Sequence, residues 1–167
     1  MTSFIHHPVN EKVILEVPDN WSNDYYYNIT LEDFMEVMNY ALKEGYTFVW
    51  DGDVGHDGFE HKKNVAVVPA GDYDFTEPKE EKKIDVDFRQ KQFDNLTTTD
   101  DHLMHITGLA KDQNGTIYYK TKNSWGDDSN SLGGYLYMSE SYMRLNSIAI
   151  MVHKDAIPKE IKNKLGL

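Results

Sequence analysis

Two residues of this chain could share one piece of acid–base work. His102 opens an apolar, strand-like run, DHLMHITGLA, and Asn123 ends a second run, IYYKTKN; Asn114-Gly115 lies between them. Imidazole is the side chain whose ordinary pKa lets it take and give protons near neutral pH. A carboxamide oxygen accepting from one ring nitrogen fixes the tautomer and aims the other nitrogen at a reacting group. An Asn-Gly pair between two such runs is a strong signal for a tight hairpin, and paired strands lie about 5 Å apart. The hairpin would therefore return Asn123 to the sheet edge where His102 starts. Trp125, in the run Asn123-Ser124-Trp125-Gly126, would roof the bond and exclude water, which strengthens it. Asp101 reads either as tuning His102 or as capping the loop end. His105 alternates onto the face of Leu103, away from His102, and reads as structural.

The elements that must position these residues are partly legible. Residues 12–17 (KVILEV) have strand composition, and 18–28 read as a loop rich in turn formers and aromatics. Thr30 is an N-cap candidate for a helix with Glu32 and Asp33 in its first turn. Leu31, Phe34, Met35, Met38, Ala41 and Leu42 share one helical face, and Gly45 closes the end. Strands are expected at 46–50, 64–68, 102–110, 116–122, 133–138 and 147–152. Residues 69–100 are charged and turn-rich, too long for an ordinary connection, and read as a functional insertion or a surface excursion. Ser139 could cap a short helical turn, and Pro158 is expected as the first residue of a terminal helix. One helix followed by a mostly antiparallel sheet makes an α+β half-barrel in a single domain, 1–167.

Composition narrows the function. The formal charge of −11 argues against nucleic acid or an anionic membrane surface as partner. No cysteine is present, so neither a disulfide nor thiol chemistry can come from this chain. No apolar run could span a bilayer, and the opening MTSFIHHPV lacks the regions of a secretory signal. Asn28, Asn95 and Asn114 stand in Asn-x-Thr triplets, which mean little without evidence of secretion. Asp51, Asp53 and Asp57 fail as a calcium loop, because Gly55 and His56 occupy the fifth and sixth positions. They read as a turn cluster, with a weak case for Asp51 or Asp53 touching ligand. His6-His7 and the His56/His61 pair make no convincing zinc set, so neither metal nor cofactor is expected. Tyr25-Tyr26-Tyr27 reads as packing or interface.

Asp101-His102, Asn123-Ser124-Trp125-Gly126 and Gly134-Tyr135 together resemble the carboxy-terminal half of papain-like cysteine peptidases, in order and spacing across residues 101–135. The helix followed by DGDVG, the long stretch before His102 and the tail HKDAIPKEIKNKLGL resemble the bleomycin hydrolase and aminopeptidase C group. The resemblance implies the antiparallel, barrel-like right-hand half of the papain fold, with one main helix and a carboxy-terminal tail. It implies His102 as general base, Asn123 as its orienter, Trp125 as a shield, and a peptide substrate cleaved at its amino terminus. It further implies that the last residues, Gly166-Leu167, anchor the substrate's free amine, with Gly166 carrying the terminal carboxylate if the last residue is trimmed. A homo-oligomer and a cytoplasmic location are implied on the same basis. The family's nucleophilic cysteine stands roughly 130–150 residues before the His and Asn, so a cysteine-bearing half, lying upstream of Met1 or on another chain, is the expected partner. A non-catalytic binding or regulatory module is the alternative.

Overall fold

Thr30 begins the longest helix as the sequence requires: its hydroxyl accepts from the Asp33 N–H, and α1 runs Leu31–Lys43. The helix ends with Gly45 N–H donating to Leu42 and Tyr46 N–H to Ala41, the paired bonds that close a helix over a left-handed glycine. Phe34, Val37, Met38 and Ala41 are buried completely, in one cluster with Phe48, Trp50, Ile106, Tyr119, Leu136 and Met138. This face holds the helix on the sheet, since burying each large apolar side chain contributes about 1.5–3 kcal/mol. The computed structural model describes residues 1–167.

The remaining elements are β1 (Glu11–Ile14), β2 (Tyr25–Asn28), β3 (Phe48–Gly52), β4 (Phe59–Glu60), β5 (Val65–Ala66), α2 (Val86–Asp94), β6 (His102–Lys111), β7 (Ile117–Lys122), β8 (Tyr135–Ser139), α3 (Glu140–Asn146), β9 (Ser147–Met151) and α4 (Lys159–Leu165). Seven strands pair in the order β4-β5-β8-β7-β6-β3-β9, and β1 pairs with β2 separately. Every pairing is antiparallel except β5 with β8. Thr2 bridges Asn28 and Ala149, which ties the β1–β2 ribbon to the β9 edge. The chain is thus an α+β fold with a mostly antiparallel sheet, as the sequence indicates. No helix is long and apolar enough to cross a membrane.

Several expectations need correction. Tyr25–Tyr27 lie in strand β2 rather than in a loop. Asn28, at its end, is fully buried and binds the backbone of Phe4, His7 and Pro8, so its Asn-x-Thr triplet is inaccessible. Residues 69–82 are a surface excursion closed at its base, where Lys82 donates to Val68, Ala70 to Glu80, and Pro69 bridges Glu81. Beyond it lies the unexpected helix α2, with Asp85 as N-cap. Its buried residues are Arg89 and Gln90. Arg89 donates to the carbonyls of Ser3, Arg144 and Leu145, fastening α2 to the amino-terminal segment and the end of α3. Pro158 is the N-cap of α4 rather than its first residue.

The β6–β7 hairpin forms, but its turn is wider than a two-residue loop. Gly115 N–H donates to Asp112 O, and the Asp112 carboxylate accepts from Asn114 and Thr116. Gly115 alone takes positive φ, at 88°. The loop between β7 and β8 is tied at both ends. Asn123 N–H donates to Gly134 O, and Asn130 accepts from the Leu132 and Gly134 N–H groups. Gly134 has φ 77°, and a Cβ there would lie 2.7 Å from Gly126 O and 2.9 Å from Lys122 Nζ. Both the φ and the close approach require glycine.

Asp51 of β3 is buried beside Asp100, with Asp19 close enough for three carboxylate oxygens to lie within 4.8 Å of one another. Burial, a hydrogen bond with Asp100 and then the negative charges of Asp100, Asp19 and Asp101 hold Asp51 far above the ordinary carboxylate range. The folded state therefore takes up a proton that the unfolded chain releases. That contribution to stability is complete below the unfolded carboxylate pKa and is lost as pH rises above it. Between about pH 5 and pH 8, thermal unfolding should move to lower temperature more steeply in the wild type than in Asp51→Asn, whose amide mimics the protonated form. Equal slopes would show that Asp51 is ionised in the fold. Gly134→Ala should cost about 1–3 kcal/mol, read from the denaturant midpoint, because strain and a steric clash add there. An unchanged midpoint would show that the loop moves aside freely.

Candidate active site

His102 begins β6 opposite Gly52 of β3, and Asn123 follows the last residue of β7. The pairing of His105 with Lys122 brings the start of one strand beside the end of the other. His102 Nε2 lies 2.8 Å from Asn123 Oδ1. The same oxygen accepts from the Ser124 N–H at 2.7 Å. A backbone N–H can only donate, so the side-chain atom facing it is the carbonyl oxygen, and His102 Nε2 must then carry a proton. That leaves His102 Nδ1 as the unprotonated nitrogen of the neutral ring. Asn123 is 1% exposed, which removes competing water from its oxygen.

The other end of the Asn123 carboxamide meets a residue the sequence did not single out for this site. Asn123 Nδ2 lies 3.5 Å from His61 Nδ1, and His61 Nε2 lies 2.8 Å from Ser129 Oγ. Ser129 Oγ in turn donates to Gly126 O at 2.6 Å. His61 sits in a 3-10 turn, His61–Lys63, before β5. That turn is stitched to the β7–β8 loop by Lys62 donating to Ser129 O, Asn130 to His61 O, and Asn64 to Ser131 Oγ. Burial, then the charges of Lys62 and His102, push the His61 pKa down. No sequence pattern joins residues 61 and 123; only the packing of β5 beside β8 does.

Trp125 packs against both imidazoles, with ring centroids 4.8 Å from His61 and 5.3 Å from His102, and it meets Phe59 edge-on at 5.8 Å. Half of Trp125 remains exposed, at 49%. The indole therefore contacts both histidine rings while about half of its surface stays open to solvent.

Asp101 Oδ1 accepts from the Val54 N–H at 3.0 Å, pinning the chain just after β3 to the residue before His102. Its pKa is raised, chiefly by burial. Asp53 accepts from Gly55 and from the N–H and hydroxyl of Thr99, so it organises the turn. Asp51 belongs to the pair with Asp100. His105 faces Thr47 on the exposed side of β6. His56 Nδ1 accepts from Gly58 N–H, and His6 binds Gln90, so neither joins His61 in a ligand set. Gly166 ends α4 in the left-handed conformation, and Leu167 N–H donates to Lys162 O. Leu167 lines a groove with Met1, Tyr25 to Tyr27 and Ile150 to Val152. That groove includes neither His102 nor Asn123.

A neutral imidazole with one nitrogen anchored to an amide and the other bare can accept a proton from a thiol, hydroxyl or water placed beside it. The chain as a whole matches a known family. The family model described as Peptidase C1-like family covers residues 5–166. Aminopeptidase C of Streptococcus thermophilus is 28% identical over 139 residues, covering 81% of this chain and 29% of that protein. Aminopeptidase W of Lactobacillus delbrueckii subsp. lactis is 27% identical over 165 residues, covering 95% of this chain and 36% of that protein. The chain thus spans about a third of the length of these relatives. The crystal structure of PepW from Lactobacillus rhamnosis HN001 superposes on it with a TM-score of 0.69 at 18% identity, over 98% of this chain and 36% of that one. Its overall fold is papain-like, and the chain belongs to the Peptidase C1-like family.

Proposed function

We propose that this chain supplies the base-bearing part of a cysteine aminopeptidase site of the bleomycin hydrolase type. In this reading His102 is the general base and Asn123 is the residue that orients it. The observation that carries the proposal is the bond from His102 Nε2 to an Asn123 oxygen whose identity the Ser124 N–H fixes. The chain holds no cysteine, so the nucleophile must come from a segment outside these 167 residues. A thiol brought to His102 Nδ1 would give up its proton to form a thiolate–imidazolium pair, because a neighbouring imidazolium lowers a thiol pKa. The thiolate adds to the peptide carbonyl. The imidazolium then protonates the leaving amine as the C–N bond breaks, and a thioester remains. Water, deprotonated by the same imidazole, hydrolyses the thioester and restores the thiol. Asn123 stabilises the imidazolium through its carbonyl oxygen, and Trp125 keeps water from that bond.

The names of the relatives, aminopeptidases C and W, support an amino-terminal specificity and peptide substrates. Anchoring of the substrate amine by the carboxylate at Gly166 or Leu167 requires the tail to leave its groove beside Tyr25 to Tyr27. The proposed partners are a cysteine-bearing segment and further copies of the completed enzyme, in the cytoplasm. The lack of any cysteine favours a second reading, in which the chain is a peptidase-like binding module without turnover.

One experiment separates the two. Mixed with a cysteine-bearing half from a related aminopeptidase, the chain should hydrolyse aminoacyl fluorogenic substrates, while alone it should give no turnover. In the mixture, His102→Ala should lower kcat by about 10²- to 10⁴-fold. Activity of the chain alone would overturn the proposal. Stable association without turnover would leave the binding module as the function.

A further inference from the structure

The site described above contains a second histidine with no part in proton transfer to substrate. We propose that His61 is a positioning residue for Asn123, held as the neutral ring protonated at Nε2 so that its bare Nδ1 receives the Asn123 amide. The proposal deepens the reading of His102 and Asn123 as base and orienter, and rests on it.

Two backbone groups set the direction of every hydrogen bond in the chain of contacts. At one end the Ser124 N–H must donate, so the Asn123 atom it meets is oxygen. Asn123 Nδ2 then points at His61 Nδ1, which can only accept. At the other end Gly126 O must accept, so Ser129 Oγ spends its single hydrogen there. The Ser129 oxygen is left to receive from His61 Nε2–H. The two ends demand the same tautomer of His61 independently. A protonated His61 would set an N–H against the Asn123 NH₂ group, and burial disfavours that form.

The geometry gives His61 a specific task. Asn123 is 1% exposed and its Nδ2 has no other hydrogen-bond partner. At 3.5 Å the contact is long, so its worth lies in denying the carboxamide an alternative orientation. His61 itself is rigidly mounted: it is 5% exposed, meets Trp125 edge-on and stacks against Phe59. The Lys62, Asn64 and Asn130 bonds hold its turn against the loop that carries Asn123. Loosening one end of the amide loosens the oxygen at the other, and with it the ring of His102.

Side-chain and histidine ¹⁵N NMR of the 167-residue chain tests this directly. The wild type should show His61 protonated at Nε2 and bare at Nδ1. In His61→Phe, which keeps a flat ring but removes the acceptor, hydrogen exchange of the Asn123 NH₂ group should speed up about three- to tenfold. The His102 tautomer population should shift toward a mixture in the same sample. His61→Gln, whose oxygen can accept, should restore slow exchange. If His61→Phe fails to fold, Ser129→Ala gives the same test, by freeing the His61 tautomer while leaving the ring in place. A His61 ring protonated at Nδ1, or a folded variant with wild-type exchange and His102 tautomer, would overturn the proposal. The base reading is judged apart, by Asn123→Ala: a His102 tautomer unmoved there defeats that reading, whatever His61 does.

Discussion

One oxygen atom organises the candidate site. Asn123 Oδ1 receives both the Ser124 N–H and the His102 ring. The first contact is backbone and cannot change direction. It therefore dictates which end of the carboxamide faces the imidazole, and so which imidazole nitrogen is left bare. The tautomer of the neutral His102 ring thus depends on a side-chain orientation set by the main chain one residue further on. Burial of Asn123 makes the choice firm, since a buried amide cannot trade its partners for water.

Keeping that oxygen in place draws on most of the fold. The β6–β7 register brings His102 and Asn123 to the same edge, and the loop from Asn123 to Gly134 is closed onto itself by Asn130 and by glycine at 134. The His61 turn reaches this loop only because β5 runs parallel beside β8, in a sheet that is otherwise antiparallel. On the far side, Asp101 and Asp53 pin the approach to β6 against the exit from β3. The α1 face beneath supplies the packing that makes the sheet stiff. Trp125 packs against the rings of His61 and His102 and stays half exposed.

The sequence reveals those parts whose physics is local. α1 is legible because its apolar residues recur at helical spacing between a threonine cap and a glycine stop. The His102–Asn123 pairing is legible because a hairpin signal separates two strand-like runs. α2 was hidden, since the residues it buries are Arg89 and Gln90 and it has no apolar stripe to read. β2 was hidden because Tyr25 to Tyr27 pair with β1 across a loop of ten residues that carries no tight-turn signal. The Asn114-Gly115 pair announced the hairpin but not its turn, whose form is set by the Asp112 side chain. His61 could not be found at all, because its relation to Asn123 spans 62 positions and arises from sheet order alone. The resemblance across residues 101–135 indicated family and fold together, and both hold.

The most direct measurement is the protonation state of each nitrogen of the His102 ring in the isolated wild-type chain, read from ¹⁵N chemical shifts at a pH where the ring is neutral. A proton on Nε2 and none on Nδ1 is the expected result, because the Ser124 N–H leaves the Asn123 oxygen facing the ring. A proton on Nδ1, or an even mixture of the two forms, would contradict the orientation on which the site depends.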